Sequence, residues 1–209
     1  MIAIVDYKTC NLGSLINMLK RSGFAAKGVD SPNELEGASK IILPGIGHFD
    51  SCVRNLRDCG FEEPLHRLVV EEKTPLLGIC VGAQLLTRGS EEGREPGLGW
   101  IDGEALRFSF PDDPRMKVPH MGWSEAEPKR AHPLFDRFTD VPRFYFVHSY
   151  YIQTDRPENV LAETVYGSPF ASAIVKNNIA GVQFHPEKSH RFGMAMLTAF
   201  ASGGDVDAS

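Results

Sequence analysis

Short apolar runs alternate with helical repeats through the first ninety residues of the chain. The segments IAIVD, KIILPG and TPLLGIC have consecutive apolar positions, which is typical of strands covered on both faces. Segments such as NLGSLINMLKRSG and VGAQLLTRGSE instead repeat apolar residues at helical spacing. Residues 49–73 are predicted to be helical in two pieces that break near Gly60 and Pro64. This alternation predicts parallel strands joined by helical crossovers.

The pattern changes in the second half to strand-like segments separated by turn residues. These segments are GWIDGEALRFSF, RMKVPHMGWSEAE, RFYFVHSYYIQ, NVLAETVYG, FASAIVKNN and IAGVQFHPE, and a last helix follows at SHRFGMAMLTAFAS. We therefore predict a single α/β domain over residues 1–203 and a flexible tail over residues 204–209. Its central sheet should be mostly parallel, with helices on both faces and added antiparallel strands.

Composition narrows the function classes. The chain has 209 residues, 42% of them hydrophobic, and a net charge of −5 with acids and bases interspersed, which argues against a nucleic-acid or anionic-membrane surface. No apolar run approaches the ~20 residues needed to cross a bilayer, and the start lacks a signal peptide. The four cysteines lack disulfide-scaffold density and no histidine pair has metal spacing. We expect a cytoplasmic protein without a metal or other cofactor.

One cysteine lies in a special setting. The segment GICVG, residues 78–82, fits the G-x-C-x-G pattern of a nucleophile elbow between a strand and a helix. Glycines there remove Cβ atoms that would clash in the strained turn, and the thiol of Cys80 would lie at the carboxyl end of a central strand. The motif alone is equally compatible with a structural core cysteine between two packing glycines.

A base for such a thiol is offered by the segment VQFHPEKS. Pro186 keeps His185 out of the helical region, so His185 and Glu187 should project to the same side of an extended chain. The carboxylate could then orient the imidazole toward Cys80. An ordinary imidazole pKa of about 6.5 predicts that activity falls below that pH. The alternative is a strand end at which a histidine and a glutamate occur together by chance.

The segment LPGIG, residues 43–47, closes the strand that precedes the cysteine strand. A turn with two glycines can direct successive backbone amides at a developing oxyanion. An ordinary strand end explains the same residues equally well. The segment is no phosphate-binding fingerprint, because the third glycine of GxGxxG is absent.

Six motifs together carry a resemblance to a known family. LPGIG, GICVGAQLL, SEEG with GLGWIDG, VPHMGW, FYFVHSYY and VQFHPEKS occur in the order seen in class I glutamine amidotransferases. The chain resembles that family from residue 2 to about residue 200. VPHMGW and FYFVHSYY resemble most closely the branch that forms the glutaminase subunit of imidazole glycerol phosphate synthase.

The resemblance implies a flavodoxin-like class I glutamine amidotransferase fold and hydrolysis of L-glutamine to glutamate and ammonia. It also implies a heterodimer in which the ammonia passes to a cyclase subunit, which makes imidazole glycerol phosphate and AICAR in histidine biosynthesis. Neither a cofactor, a nucleic acid nor a membrane is implied.

The resemblance also implies roles for individual residues. Cys80 would be the nucleophile, His185 the base and acid, and Glu187 the group that orients His185. Backbone groups of the oxyanion hole would come from Gly45, Ile46 and Val81. Glutamine would be bound by Gln84, Glu92, His148, Ser149 and Tyr150. The partner interface or its coupling to the site would involve Asn11, Trp123, Tyr145 and Lys188, for which simple packing is the alternative.

The chain departs from the family pattern at several positions. The family usually has DYGxGN near its start, where this chain has DYKTCN with Lys8 and Cys10 in place of glycines. Ala83 stands where methionine is usual, and Ser124 where asparagine is usual. These departures leave open a paralogue that feeds ammonia to another synthase, such as one that amidates a nucleotide sugar.

Two further hypotheses belong to other functional classes. A stand-alone cysteine hydrolase or peptidase would cleave peptides without a partner. A catalytically silent binding subunit would leave glutamine-dependent activity unchanged after Cys80→Ala.

Overall fold

The structure is a computed structural model that describes residues 1–9 and 12–203. Its first half alternates strands with helices, as the apolar pattern predicted. The elements are, in chain order, β1 (Ile2–Val5), α1 (Gly13–Arg21), β2 (Ala26–Val29), β3 (Lys40–Gly45), α2 (Phe49–Asp58), α3 (Glu62–His66), β4 (Leu76–Cys80) and α4 (Val81–Leu85). A short helical turn at Pro32–Leu35 was not predicted, whereas the one at Arg67–Glu71 lies within the predicted helical stretch of residues 49–73.

Five parallel strands form the centre of the sheet. Their order is β2–β1–β3–β4–β12, where β12 (Ile179–Val182) comes from near the end of the chain. Every residue of β1, β3, β4 and β12 is buried. Because successive side chains on a strand point to opposite faces, both faces of this centre are covered, which explains the uninterrupted apolar runs.

Most strands of the second half of the chain extend this sheet in antiparallel pairing. The elements of this half are β5 (Gly103–Arg107), β6 (His120–Glu125), β7 (Glu127–Pro128), β8 (Arg143–His148), β9 (Tyr150–Thr154), β10 (Val160–Tyr166), β11 (Ser168–Lys176), the central strand β12 and α5 (His190–Ser202). β11 pairs with β12 and then with β10, while β9 joins β11 to β5. The mixed sheet predicted from the sequence is confirmed.

Two helix boundaries differ from the prediction. The helix after Cys80 ends at Leu85, well short of the predicted segment, because the chain turns to bring Leu98 and Trp100 into backbone hydrogen bonds with Leu85 and Leu86. The predicted break near Pro64 is absent, since Pro64 lies in the first turn of α3, where its missing N–H costs no helical hydrogen bond. The break near Gly60 is present.

β6 and β8 pair antiparallel as a separate two-stranded sheet, and aromatic packing joins this pair to the central sheet. The rings of Phe144 and Phe184 stack at a centroid distance of 3.8 Å, and Phe146 meets Phe184 edge-on at 5.6 Å. All three side chains are fully buried. Because Phe144 and Phe146 point into the core, Tyr145 between them faces the other side of the strand, where its ring meets Trp123 edge-on.

No helix within residues 1–9 and 12–203 is long and apolar enough to cross a membrane. The predicted tail over residues 204–209 lies outside the described part of the chain.

Candidate active site

Three neighbouring parallel strands end at the same edge of the sheet and define the site. Gly45 at the end of β3 is in register with Cys80 at the end of β4. On the other side of β4, Val182 at the end of β12 is in register with Ile79, and His185 follows three residues later. Parallel pairing therefore brings together groups that are far apart in the sequence.

The backbone of Cys80 adopts the strained turn that the elbow pattern predicted. Its φ of 55° and ψ of −114° lie outside the regions that ordinary residues favour. A Cβ added at Gly78 would lie 2.8 Å from Cα of Ala83, and one at Gly82 would collide with the carbonyl oxygen of Leu43. Only glycine allows β3, β4 and α4 to approach this closely. The elbow is thus a property of the local sequence.

His185 and Glu187 form a tight pair next to this elbow. Nδ1 of His185 lies 2.6 Å from Oε1 of Glu187, and the imidazole is 2% exposed. His185 has an extended backbone, as expected before proline, but Pro186–Lys188 forms a 3₁₀ turn, so the predicted extended segment is wrong beyond His185. The contact forms because the turn brings the carboxylate back to the imidazole.

The protonation of His185 also differs from the expectation of an ordinary imidazole. Burial disfavours its charged form, but hydrogen bonds to Cys80 and to Glu187 outweigh this and raise the pKa of His185 to about 9. His185 is therefore an imidazolium at neutral pH. A cation next to a thiol is the setting in which cysteine becomes a nucleophilic thiolate.

A cavity of about 340 Å³ opens beside Cys80 and His185. It is lined by all five predicted glutamine-binding residues, namely Gln84, Glu92, His148, Ser149 and Tyr150. Ile46 and Val81, predicted for the oxyanion hole, line it too, while Gly45 lies just behind at the end of β3. Glu187 does not line the cavity but contacts His185, which does.

Glu92 is brought to the cavity by contacts with the start of α2. Oε2 of Glu92 accepts a hydrogen bond from the backbone N–H of Phe49 at 2.8 Å. Oδ1 of Asp50 accepts the N–H groups of Arg94 and Glu95 at 2.9 and 3.0 Å. The loop carrying Glu92 is therefore fixed by carboxylates at a helix N-terminus, where negative charge is favoured.

A chain of buried hydrogen bonds holds the far wall of the cavity. Nδ1 of His148 donates to the carbonyl oxygen of Tyr150 at 2.7 Å, which leaves Nε2 of His148 to accept from Nδ1 of His120 at 3.0 Å. Nε2 of His120 in turn accepts a hydrogen bond from the hydroxyl of Ser124 at 2.9 Å. Burial lowers the pKa of His120 to about 4 and that of His148 to about 3, so both are neutral near pH 7.

The same carbonyl of Tyr150 anchors Gln84. Nε2 of Gln84 lies 3.1 Å from this oxygen and 3.1 Å from Oε1 of Gln183, and Gln84 is 2% exposed. Nε2 of Gln183 in turn lies 3.8 Å from Sγ of Cys80. The family resemblance pointed to Gln84 as a glutamine-binding residue, but no role was predicted for Gln183 or His120. The signal for Gln183 was a polar residue within the apolar strand end IAGVQF.

The segment predicted to supply oxyanion donors is exposed at its centre. Ile46 is 46% exposed, although the four residues before it are buried. Its carbonyl oxygen lies 3.4 Å from the thiol of Cys52 on α2, which donates to it. Gly47 follows with a φ of 95°. The segment is thus a surface turn held from below by a buried cysteine.

Of the residues predicted for a partner interface, Lys188 lies at the cavity, whereas Trp123 and Tyr145 lie opposite each other on the paired strands β6 and β8. Lys188 lines the cavity itself and is exposed. Trp123 is 39% exposed, meets Tyr145 edge-on at 6.2 Å and stacks on His190 at 5.7 Å. Asn11 lies outside the described residues, as does Cys10.

A serine that the sequence did not point to supports the turn that carries His185 and Glu187. The hydroxyl of Ser189 donates to the carbonyl oxygen of His185 at 2.6 Å and accepts the N–H of Tyr145 at 2.9 Å. The N–H of His185 also bonds the carbonyl oxygen of Tyr145 at 2.9 Å. Ser189 is fully buried. These three bonds tie the turn at residues 185–188 to β8.

Histidine, cysteine and acidic side chains come together in no group that could hold a metal ion, among the residues that the structure describes.

The fold and the site define an α/β protein with a cysteine elbow and a buried histidine–glutamate pair at one sheet edge. The family model for class-I glutamine amidotransferases matches residues 3–202. The chain belongs to the class-I glutamine amidotransferase family.

Two named relatives are similar to this chain over nearly its whole length. The imidazole glycerol phosphate synthase subunit HisH 2 of Pseudomonas aeruginosa is 46% identical over 200 residues, which cover 96% of this chain and 98% of the relative. The subunit of the same name from Methanococcus maripaludis is 48% identical with the same coverage. Among solved structures, PurLQS from Thermotoga maritima matches with a TM-score of 0.73 at 18% identity, covering 95% of this chain and 96% of that one. This last likeness concerns the fold.

Proposed function

We propose that the protein is the glutaminase subunit of an imidazole glycerol phosphate synthase. It hydrolyses L-glutamine to glutamate and ammonia in the cytoplasm and passes the ammonia to a cyclase subunit in a heterodimer. The observation that carries the proposal is the meeting of Cys80, His185 and Glu187 at one sheet edge, in a chain 46% and 48% identical to two subunits of that name.

The first half of the reaction forms a thioester. The Cys80 thiolate attacks the side-chain amide carbon of glutamine, and the carbonyl oxygen becomes an oxyanion facing the backbone at Ile46 and Val81. His185, protonated at neutral pH, donates its proton to the departing nitrogen as the carbon–nitrogen bond breaks. Ammonia leaves and a γ-glutamyl thioester remains on Cys80. Glu187 keeps Nδ1 of His185 engaged, so that Nε2 faces the reacting atoms.

The second half of the reaction regenerates the thiolate. His185, now neutral, takes a proton from a water molecule that attacks the thioester carbonyl. The carbon–sulfur bond breaks, the electron pair returns to Sγ of Cys80, and glutamate leaves. His185 ends as the cation with which it began.

Recognition of glutamine is assigned to the polar wall of the cavity. Gln84 and Glu92 offer an amide and a carboxylate for the α-amino acid end of the substrate, and the cavity of about 340 Å³ suits one amino acid. His148, Ser149 and Tyr150 form the opposite wall.

A second candidate keeps the chemistry but changes the partner. Lys8 has a φ of 65° and is exposed at a position where the family usually has glycine. A lysine side chain there changes the charge of a surface that family resemblance places toward the partner. A different synthase that consumes ammonia, such as one amidating a nucleotide sugar, fits this observation.

The test is release of glutamate from glutamine by the purified chain, first alone and then with the cyclase subunit and its ribonucleotide substrate. Cys80→Ala accompanies both measurements. We expect little turnover by the isolated chain, a large rise with the cyclase subunit, and no rise in Cys80→Ala.

Each other outcome separates the alternatives. No rise, with Cys80 still labelled by a glutamine-mimicking electrophile, would support the different synthase. Fast peptide cleavage without a partner would support a stand-alone hydrolase. Unchanged glutamine-dependent activity in Cys80→Ala would support a catalytically silent subunit.

A further inference from the structure

Gln183 is a buried side chain that touches the reacting atom. It is 1% exposed and lies at the end of β12, one residue beyond Val182. Its Nε2 lies 3.8 Å from Sγ of Cys80, within hydrogen-bonding range for sulfur, and its Oε1 lies 3.1 Å from Nε2 of Gln84. Its backbone N–H is already bonded to the carbonyl oxygen of Ser172. The side chain is therefore held from both ends.

The direction of the Gln183 amide follows from its neighbours. The carbonyl oxygen of Tyr150 can only accept, so Gln84 must present its NH₂ group to it. The second hydrogen of that NH₂ group faces Gln183, which must therefore present its oxygen. The NH₂ group of Gln183 is then the end that faces Cys80. An inverted amide would place two oxygens or two NH₂ groups against each other.

We propose that Gln183 is a catalytic residue that donates a side-chain N–H to the sulfur of Cys80 and stabilises it as a thiolate. The proposal rests on the proposed glutaminase function for its consequence in turnover. A hydrogen bond to a charged group is worth more than one to a neutral group, so the bond favours the thiolate over the thiol.

This donor acts at two points of the reaction. Before the attack, it raises the fraction of Cys80 that is ionised. When the thioester is hydrolysed, the carbon–sulfur bond breaks and the electron pair returns to Sγ, where the Gln183 N–H meets the developing negative charge. In the thioester itself the sulfur is neutral and the bond contributes little. The donor therefore increases the population of thiolate before the attack and favours the later step in which sulfur regains its negative charge.

Other charged and titratable groups face Cys80 from each surrounding element. His185 and Glu187 approach from the turn after β12, and His148 approaches from β8. Glu92 and Lys188 line the same cavity. Substitutions at Gln183 leave all five side chains in place, so a change in Cys80 reactivity reports on the amide.

The test measures the thiolate directly, without glutamine. Cys80 is alkylated with iodoacetamide across a pH series, and the labelled peptide is quantified by mass spectrometry to separate it from the other cysteines. The variants are Gln183→Met, which removes the donor at similar volume, and Gln183→Glu, which replaces the NH₂ group with a carboxylate oxygen. Gln153→Met on the exposed face of β9 is the matched control.

We expect Gln183→Met to slow alkylation at neutral pH by about tenfold and to move the midpoint of the pH profile up by about one unit. Gln183→Glu, nearly identical in shape, should slow it further because a carboxylate repels a thiolate. Gln153→Met should match the wild type. An unchanged midpoint in either folded Gln183 variant, verified by thermal unfolding, would overturn the proposal.

The outcome is independent of the glutaminase proposal. Slower alkylation in a chain that never hydrolyses glutamine would support the hydrogen bond and count against the proposed function alone. Unchanged alkylation in an active glutaminase would support the proposed function and contradict the hydrogen bond from Gln183 to Cys80.

Discussion

His185 is the residue whose environment matters most for chemistry. Its pKa is raised to about 9 because the hydrogen bonds to Cys80 and Glu187 outweigh the cost of burying its charge. A raised pKa means that the folded state binds the proton more tightly than the unfolded chain does. The resulting stabilisation is fully present below about pH 6.5, the ordinary imidazole value, and is lost as the pH rises through about 9.

The pH dependence of activity should follow the same sign. We expect kcat/KM for glutamine to fall as the pH rises through about 9, because neutral His185 cannot protonate the departing ammonia. Glu187→Gln removes one of the contacts that raise the pKa, so the fall should begin at lower pH and kcat should drop on the order of a hundredfold. The measurement is a pH–rate profile of the complex, with Glu63→Gln on the exposed face of α3 as the control. A profile identical in wild type and Glu187→Gln would contradict the role of the carboxylate.

The residues that face the reacting atoms could largely be predicted from the sequence, but the buried residues that hold them in place could not. Cys80 and its flanking glycines form a local motif, and a histidine two residues before a glutamate suggested the pair. The roles of Gln183, His120 and Ser189 could not be predicted, because the residues next to them in the sequence do not show which distant residues they hydrogen-bond. Their contacts depend on strand register, such as the alignment of His120 with His148 across β6 and β8. A sequence pattern predicts a strand without fixing that register.

At the scale of elements, the turn at residues 185–188 depends on its attachment to β8. Ser189 satisfies the carbonyl of His185 and the N–H of Tyr145 at once, and both backbone groups would otherwise be buried without these partners. Buried polar groups that lose a partner are costly. The turn is therefore positioned by β8 as much as by β12.

Removing that hydroxyl should loosen the turn. We expect Ser189→Ala to lower the free energy of unfolding by about 1–3 kcal/mol and to lower kcat more than it raises KM, because the imidazole is displaced while the substrate wall is intact. Chemical denaturation and steady-state kinetics measure the two effects, with Ser14→Ala on the exposed surface of α1 as the control. An unchanged kcat in a variant that is destabilised would leave Ser189 a purely structural role.

The order of strands and helices in the first half could be predicted from the apolar pattern, because its buried parallel strands are short continuous apolar runs that alternate with segments of helical spacing. The ends of helices and strands next to long loops could not be predicted in this way. α4 ends at Leu85 because tertiary backbone bonds from the loop at residues 98–101 replace helical ones, and no local signal announces them. The two-residue strand β7 is too short for any periodicity to reveal.

At the scale of the whole molecule, several apolar side chains are exposed on the turn after β3 and on the segment at residues 118–123. Ile46 is 46% exposed, Met121 61%, Trp123 39% and Val118 37%. Pro119 between the last two lines the cavity, and so does Ile46. Exposed apolar groups near a reactive cavity are suited to a partner that covers it.

Loss of the indole ring of Trp123 should weaken the response of the glutaminase activity to the cyclase subunit. We expect Trp123→Ala to raise the cyclase concentration that gives half-maximal glutaminase stimulation by about tenfold or more, because exposed tryptophans often dominate binding energies at interfaces. A titration of cyclase against glutamate release provides the value. Val141→Ala, at a side chain 44% exposed just before β8, is the control. Equal titration curves for the two variants would exclude Trp123 from the interface.

The position of β12 has a consequence for the synthesis of the chain. In the sheet, β12 lies between β4 and β11 and is the strand through which the parallel centre meets the antiparallel extension. Cys80 and Gln183, which meet in the folded site, are 103 positions apart. A ribosome therefore completes the elbow long before it makes the strand that brings the amide and the imidazole to it. Until then the edges of β4 and β11 lack the strand that joins them, and a chain released early carries Cys80 without His185 and Gln183 beside it.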